Sequence, residues 1–519
     1  MQSIRLFYAF LLTIALGGAT AFADSITALA DAFFKGYPEY AMRDIRRMAF
    51  DRPFITADEH KEMFDRYLEK MMDQPFADQS KQRSAWLRHD GFGLQDLLIT
   101  DAESRLVLNG IDDAQTIPFV EKKVIPAGSK VLVLGDLHGS AHSLLRSLVR
   151  MVKQGHLRDD FTLAPDRYLL VLGDITDRGC YGIEVVYLLL KLKLANFDRV
   201  WLVRGNHEGV LITQQYGFAV ELGRKWPART AGRIYNAFIA FCRTLPLAIF
   251  LGVQVPGVEK PIFMQCCHGG VEPFYDPNEL LCADAKVSFE RVEREEIPAS
   301  FLATRHGASI TKSSRGRKHI VGDGFQWSDV TGMAAWGATR RELFRGLAHP
   351  KTKGVQWLLN DARGAIGFRP NLEELDAYLA ERSLVKMLRG HQDDRCCVKL
   401  TEAGVHDPVD WHDHTLYRET VRDRAATEGL LFKDMPACIT MSTAAEARGN
   451  SYDGYALLDT TGAYHEWRYF IYESHLVGAH AMYRDGGYVK INSMDDTTGA
   501  LDFTWVRDGT QAGVADATA

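Results

Sequence analysis

Asp136 and His138, Asp174, Asn206 and His207, and further on His268 and His391, all stand at the ends of short apolar runs. Asp136 and His138 are one residue apart, so both can point from one tight turn toward one ion. Asp174 ends the next run, where a carboxylate can bridge two ions with its two oxygens. Asn206 ends the third, and His268 and His391 each follow a later run. Mixed nitrogen and oxygen ligands suit divalent ions such as manganese, iron or zinc better than calcium. Two such ions about 3.5–4 Å apart can hold a water between them as hydroxide and clamp the oxygens of an in-line displacement. Such a displacement at phosphorus also needs a cation for the phosphate oxygens and a proton for the leaving group. Arg178 has the forked geometry for the first. His207 is the candidate acid, with Asp177 placed to hold its ring.

The elements that must position these residues are written around them. Residues 131–140 read VLVLGDLHGS, 168–179 read YLLVLGDITDRG, and 200–209 read VWLVRGNHEG. Each apolar run has the length of a buried strand. Between the runs, Leu144, Leu145, Leu148, Val149 and Val152, and then Val185, Val186, Leu188, Leu189 and Leu192, recur at helical spacing. The pattern is βαβαβ, and ligands of such folds gather at the carboxyl ends of the parallel strands. Taken alone, a Gly-Asp-x-His-Gly could be a turn and an Asn-His a satisfied polar pair. Their joint occurrence in order reads as a two-metal phosphoesterase core. Further strands are expected over 247–253, 262–267, 384–388, 396–400 and 438–442, with a closing strand over 466–472. A polar, charged insertion is expected at 401–433, and disorder from about Gly509.

The 519-residue chain has an ordinary globular composition and a formal net charge of −6, so no global basic field draws it to nucleic acid. Its eight cysteines show no CxxC spacing, and they leave the redox compartment open. MQSIR, the apolar LFYAFLLTIALGG and Ala21-Phe22-Ala23 before Asp24 form a secretory signal pattern. The expectation is a secreted or periplasmic protein without a stable membrane span after cleavage, the alternative being an uncleaved membrane anchor. Residues 24–125 are expected to be a helical extension, with a capping box at Thr56-Ala57-Asp58-Glu59 and one apolar face through Met63, Phe64, Tyr67, Leu68 and Met71. Such a face reads as a layer packed on the catalytic domain, expected over 126–475, with a tail at 476–519.

Together the motifs resemble those of the phosphoprotein phosphatase family, the serine/threonine branch of the calcineurin-like metallophosphoesterases. The three motifs above look like its three signatures. Phe241-Cys242-Arg243-Thr244-Leu245-Pro246, Cys266-Cys267-His268-Gly269-Gly270-Val271, Trp327-Ser328-Asp329, Asn360-Asp361-Ala362-Arg363-Gly364 and Arg389-Gly390-His391-Gln392 follow in the family's order, the arginine motif with one residue inserted. The resemblance implies an α/β (α+β) fold, a β-sandwich flanked by helices. It implies Asp136, His138 and Asp174 on one metal, and Asp174, Asn206, His268 and His391 on the other. It also implies Arg178 and Arg363 on the phosphate with Asn206 and His207, and Asp177 orienting His207. The implied substrate is a phosphoprotein or phosphopeptide. Where the family usually carries a Ser-Ala-Pro-Asn-Tyr-type loop, this chain has Ser442-Thr443-Ala444-Ala445-Glu446, with no proline or tyrosine. Tyr452 and Tyr455 lie nearby. Glu208 is expected to make a structural salt bridge. A competing reading is a diadenosine-polyphosphate or other nucleotide hydrolase on the same scaffold. That relative usually lacks the Asp-Arg-Gly and has Asp after its Asn-His, so Asp177, Arg178 and Glu208 weigh toward the phosphatase.

Overall fold

The structure, a computed structural model, describes residues 25–37, 53–72, 118–284, 287–292, 295–297, 302–303, 320–330, 357–360, 366–370, 372–392, 398–401, 425–435, 437–444, 452–475, 487–494, 501–507 and 510–511. The expected signal segment, Arg363, Cys396, Cys397 and most of the 401–433 insertion lie outside the described residues.

The first of two mixed sheets is built on β2 (Lys130–Leu134), β3 (Arg167–Val171) and β4 (Val200–Leu202), parallel and side by side. Helices α3 (Ala141–Lys153) and α4 (Gly182–Ala195) form the two crossovers of the βαβαβ unit. Val131 to Leu134 are fully buried, as unbroken apolar runs in doubly covered parallel strands should be. The sheet does not end at β2. It continues antiparallel through β14 (Tyr452–Asp459), β15 (Arg468–His475) and the short β12 (Leu430–Leu431).

The second sheet has the order β11 (Val398–Thr401), β13 (Cys438–Met441), β10 (Leu384–Arg389), β6 (Ile262–Cys267), β5 (Ala248–Gln254), β1 (Phe119–Pro126) and β7 (Phe289–Arg291). Strands β6, β10 and β13 run parallel. Strand alternation decides which side chains meet the other sheet. Ile249, Leu251, Met264, Cys266, Leu388 and Ile439 share one core with the first sheet. Ala248, Phe250, Phe263, Cys267, Met387 and Cys438 face away, onto Phe325 of α9 (Asp323–Trp327) and Leu375, Tyr378 and Leu379 of α10 (Leu372–Glu381). The vicinal Cys266 and Cys267 are therefore both buried, on opposite faces. This is a mixed α/β sandwich flanked by helices. A small parallel pair, β8 (Leu302–Ala303) with β9 (Trp357–Leu358), lies apart from both sheets.

The N-terminal layer consists of α1 (Ile26–Gly36) and α2 (Ala57–Met72). They pack on α3, on α4 and on α7 (Ala228–Arg243), which follows α5 (Val210–Gln215) and α6 (Phe218–Lys225). The capping box forms as written. Glu59 Oε2 accepts the Thr56 N–H at 2.9 Å, and Thr56 Oγ1 accepts the Glu59 N–H at 3.2 Å. Met63, Phe64, Tyr67, Leu68 and Met71 are all buried in the main core.

Two segments hold strands beyond those expected from the sequence. The border expected at residue 126 falls inside β1, because Lys122 hides the strand's alternation. Its side chain turns inward, and Nζ donates to the Leu280 carbonyl at 2.8 Å and the Ala283 carbonyl at 2.9 Å, at the end of α8 (Asn278–Cys282). The C-terminal segment also holds β16 (Gly487–Met494), β17 (Leu501–Arg507) and β18 (Thr510–Gln511), paired antiparallel. The alternation of Leu501, Phe503 and Trp505 with Asp502 and Thr504 is the signal for β17.

Candidate active site

The carboxyl ends of β2, β3 and β4 meet those of β6 and β10 at one edge of the sandwich. Asp136 and His138 follow β2, Asp174 follows β3, and Asn206 and His207 follow β4. His268 follows β6 directly, and His391 comes two residues after β10. The turns are tight. His138, Asp174, Asp177, Arg178 and His391 all have left-handed backbones, with φ of 43, 49, 70, 64 and 72°. Left-handed non-glycine residues gathered at one place are strain that the surrounding packing must hold. Gly390 shows how closely the loops approach. A Cβ there would stand 2.2 Å from Asp136 Oδ1.

Asp174 Oδ2 is the common centre. It lies 3.4 Å from His138 Nε2, 3.2 Å from His268 Nε2 and 3.9 Å from His207 Nε2. Two groups of donor atoms share it, His138–Asp174–His207 and Asp174–His268–His391. Asn206 completes the second, its Oδ1 being 2.9 Å from His268 Nε2 and 2.8 Å from His391 Nδ1. Asp136 lies at the border, with Oδ2 4.0 Å from His138 Nε2 and Oδ1 3.7 Å from His268 Nδ1. Its carboxylate also accepts the His391 N–H at 3.0 Å.

The donor chemistry fits cations. The Leu172 carbonyl, 2.8 Å from His268 Nδ1, fixes the ring hydrogen on that nitrogen. His268 Nε2 is then a lone pair facing the Asn206 carbonyl oxygen, an arrangement satisfied by a positive charge between two acceptors. The Thr176 carbonyl does the same for His138, at 3.2 Å from Nδ1, turning Nε2 toward Asp174. The charges agree. Burial opposes charge on His268, yet Asp174 and Asp136 push it up to about 9, so the carboxylates favour a positive charge here, supplied either by a proton on Nε2 or by a cation in its place. Burial would raise the Asp174 carboxyl, but His268 and His207 hold it well below the usual carboxylate range. His138 is driven the other way, first by burial and then by Arg178.

Beside these groups the expected partners His207 and Asp177 meet. His207 Nδ1 lies 2.8 Å from Asp177 Oδ2, and Arg178 Nη2 lies 3.3 Å from His207 Nε2. Burial raises the Asp177 carboxyl above its ordinary value, while His207 pulls it back.

Residues 129–324 match the family model of the calcineurin-like phosphoesterases. The chain carries a calcineurin-like phosphoesterase domain. Among solved structures it is similar to a protein serine/threonine phosphatase from Saccharomyces cerevisiae described as similar to human phosphatase PP5. That pair is 15% identical over 73% of this chain and 90% of the other, with a TM-score of 0.37. It is also similar to a cold-active protein-tyrosine phosphatase of a psychrophilic Shewanella species, 15% identical over 67% of this chain and 81% of the other, with a TM-score of 0.30.

Several supports of this candidate site were not read as such from the sequence. Glu208 makes a brace rather than the expected salt bridge. Its carboxylate accepts the backbone N–H groups of Asp174 at 2.9 Å, Ile175 at 2.9 Å and Gly205 at 2.8 Å, so its charge is spent on loop ends instead of a side-chain cation. Asp329 of the Trp-Ser-Asp motif places Oδ1 3.7 Å from His391 Nε2 and accepts Asn360 Nδ2 at 2.8 Å. Trp327 meets the His391 ring edge to face at 6.2 Å. Tyr455 belongs to the core instead: its ring is fully buried and its hydroxyl donates to Gln154 Oε1. A cleft of about 260 Å³ adjoins Asn206, with Arg204, Ile212, Trp327 and Ile366 on its walls. Arg363 lies outside the described residues.

Proposed function

We propose that the protein is a metal-dependent phosphoprotein phosphatase, cleaving phosphomonoesters with His207 as general acid. The observation that carries this reading is the His207–Asp177 contact of 2.8 Å, with Arg178 alongside and Asp174 Oδ2 3.9 Å from His207 Nε2. Asp136, His138 and Asp174 would hold one divalent ion, and Asp174, Asn206, His268 and His391 the other. Manganese, iron or zinc fits these donors. Such ions, when bound, activate a water and neutralise phosphate oxygens.

The chain's own residues supply the rest. Arg178 and Asn206, with Arg363 as a further candidate, bind the phosphate oxygens and orient the ester oxygen toward His207 Nε2. Asp177 accepts the His207 Nδ1–H and favours the doubly protonated ring, whose Nε2–H would pass to the ester oxygen as the bond breaks, with Arg178 then engaged by the phosphate instead of by Nε2. Full burial of Asp177 keeps water from competing for that hydrogen bond.

Hydrolysis of p-nitrophenyl phosphate with added manganese tests the reading. His207→Ala and Asp136→Asn should each abolish it, and full activity in either variant would sink the mechanism. Phosphoserine, phosphothreonine and phosphotyrosine peptides compared with diadenosine tetraphosphate test the substrate class. Preference for the dinucleotide would move the protein to the nucleotide-hydrolase reading. The signal pattern supports a secreted or periplasmic location. Cleavage after Ala23 would leave intact the α1 cap, where Ser25 Oγ accepts the Ala28 N–H at 3.3 Å. N-terminal sequencing of the native protein should begin at Asp24, and an intact Met1 in a cytosolic fraction would overturn that location.

A further inference from the structure

The loop that carries Asp177 and Arg178 is strained at both residues, with φ of 70 and 64°. Something must hold it, since such backbones persist only where the surrounding structure over-determines them. The metal-facing side supplies part of the hold: Gly179 N–H donates to the His138 carbonyl at 2.8 Å. The other side is a buried cluster of charges with no part in the chemistry so far. Glu221 of α6 lies one turn beyond Phe218, whose N–H donates to Asp177 Oδ1 at 2.9 Å. The Glu221 carboxylate accepts the N–H groups of Gly182 at 2.9 Å and Ile183 at 3.1 Å, the first residues of α4 and the far end of the same loop. Lys225, one further turn along α6, donates to Glu221 Oε1 at 2.7 Å, to Glu184 and to the Cys180 carbonyl at 3.2 Å. The Arg178 N–H donates to the Tyr216 carbonyl at 3.0 Å, just before α6.

The geometry points to Glu221 as a positioning residue for the His207–Asp177–Arg178 group, acting through a clamp of Glu221, Lys225 and Glu184 on both ends of the 177–183 loop. One helix, α6, thereby fixes Asp177 directly and the exit of its loop through Glu221. The side chains of all three clamp residues are almost fully buried, at 1–2% exposure. In that setting an ion pair is costly unless every hydrogen bond is made, and removing one member disturbs the rest. The N-terminal layer closes the clamp from outside. Phe33 and Tyr37 put their rings edge-on to Tyr181 at 5.0 and 6.1 Å, and His60 lies against Trp226 at 5.6 Å.

The inference rests on His207 as proton donor, and the test separates the two. The full chain loaded with manganese is assayed on aryl phosphates whose leaving groups range from 2,4-dinitrophenol to phenol. A donor matters most when the leaving group is poor. Glu221→Gln should lower kcat/KM about tenfold for phenyl phosphate and less than about threefold for 2,4-dinitrophenyl phosphate, a fraction of what full loss of a general acid costs. In an Asp177→Asn background the same substitution should cost no more than about twofold, because the group it positions is already impaired. An equal loss on all leaving groups, or a full multiplicative loss in the double variant, makes Glu221 merely structural. If Glu221→Gln does not fold, Lys225→Gln carries the same test through the Cys180 carbonyl. If neither folds, the clamp is a folding element and the inference fails. His207→Ala is the separate control. A flat leaving-group dependence in that variant breaks the acid assignment, whereas a steep one there with a flat response in Glu221→Gln breaks only the clamp.

Discussion

Two buried glutamates do the same work in the two halves of the site. Glu208 gathers the N–H groups of Asp174, Ile175 and Gly205 and so ties together the loops of the first sheet. Glu272 gathers those of Phe274, Gly322 and Gly324 and ties the loop after β6 to α9. They differ in reach. Glu208's partners lie within 34 residues of it, while Glu272 crosses 50 and 52 residues to Gly322 and Gly324. Glu208 thus joins near neighbours in the chain, although the turn at Asp136 is also pinned from far off by the Thr443 N–H, which donates to the Asp136 carbonyl at 3.0 Å. The second half is held by long connections, and so depends on the sandwich closing. The weak point is therefore the junction, where the Asp136 carboxylate receives the His391 N–H and backs against Gly390.

Substitutions can break that comparison, starting with the shared centre. Asp174→Asn removes the one carboxylate common to both groups. Activity on p-nitrophenyl phosphate should fall by at least about a thousandfold, with metal content dropping below two ions per chain. Two tightly held ions in this variant would show that the halves bind independently. Gly390→Ala strikes the junction itself, forcing a methyl against Asp136 Oδ1. It should destabilise the fold by about 1–3 kcal/mol in urea unfolding, and weaken metal binding in the second group more than the first. An unchanged urea midpoint would mean that the two sheets are not held together here.

Glu272 offers a test by pH. Burial pushes its carboxyl up to about 7 from an ordinary 4.5, against the pull of the Gly322 and Gly324 N–H groups. The folded chain therefore holds this proton more tightly than the unfolded chain does. Across the window from about pH 4.5 to about 7, its contribution to stability should fall as pH rises. Glu272→Gln should remove that part of the slope, read from urea midpoints at about pH 5 and about pH 8. A slope identical to that of the parent protein would show that Glu272 titrates normally. The smallest effect is expected at Tyr455, in the core and away from both halves. Tyr455→Phe should cost about 1 kcal/mol through the lost bond to Gln154, with kcat/KM unchanged. A clear loss of activity would place it back at the site.

Much of this site is legible in the residues. A buried parallel strand demands an unbroken apolar run, and the turn that follows demands glycine, so Val131 to His138, Leu169 to Asp174 and Val200 to Asn206 announce both the elements and their ends. Strand β6 is readable to its last residue, with His268 directly behind it. The capping box at Thr56 is a local hydrogen-bond pattern, and it formed where it was written. Less legible were β1, where the inward Lys122 conceals the pattern, and Glu208, whose partners are backbone groups that carry no side-chain signature.

What the sequence determined by itself is the set of donors and the strands that end at them, because strand length, turn chemistry and ligand type are local properties. What only the tertiary structure decided is which donors face one another. The pairing of β14 beside β2, the convergence of His268 and His391 on Asn206, and the clamp beneath Asp177 all join residues far apart in the chain. Their distances follow from how two sheets close on a shared apolar core. No single run of residues carries that information.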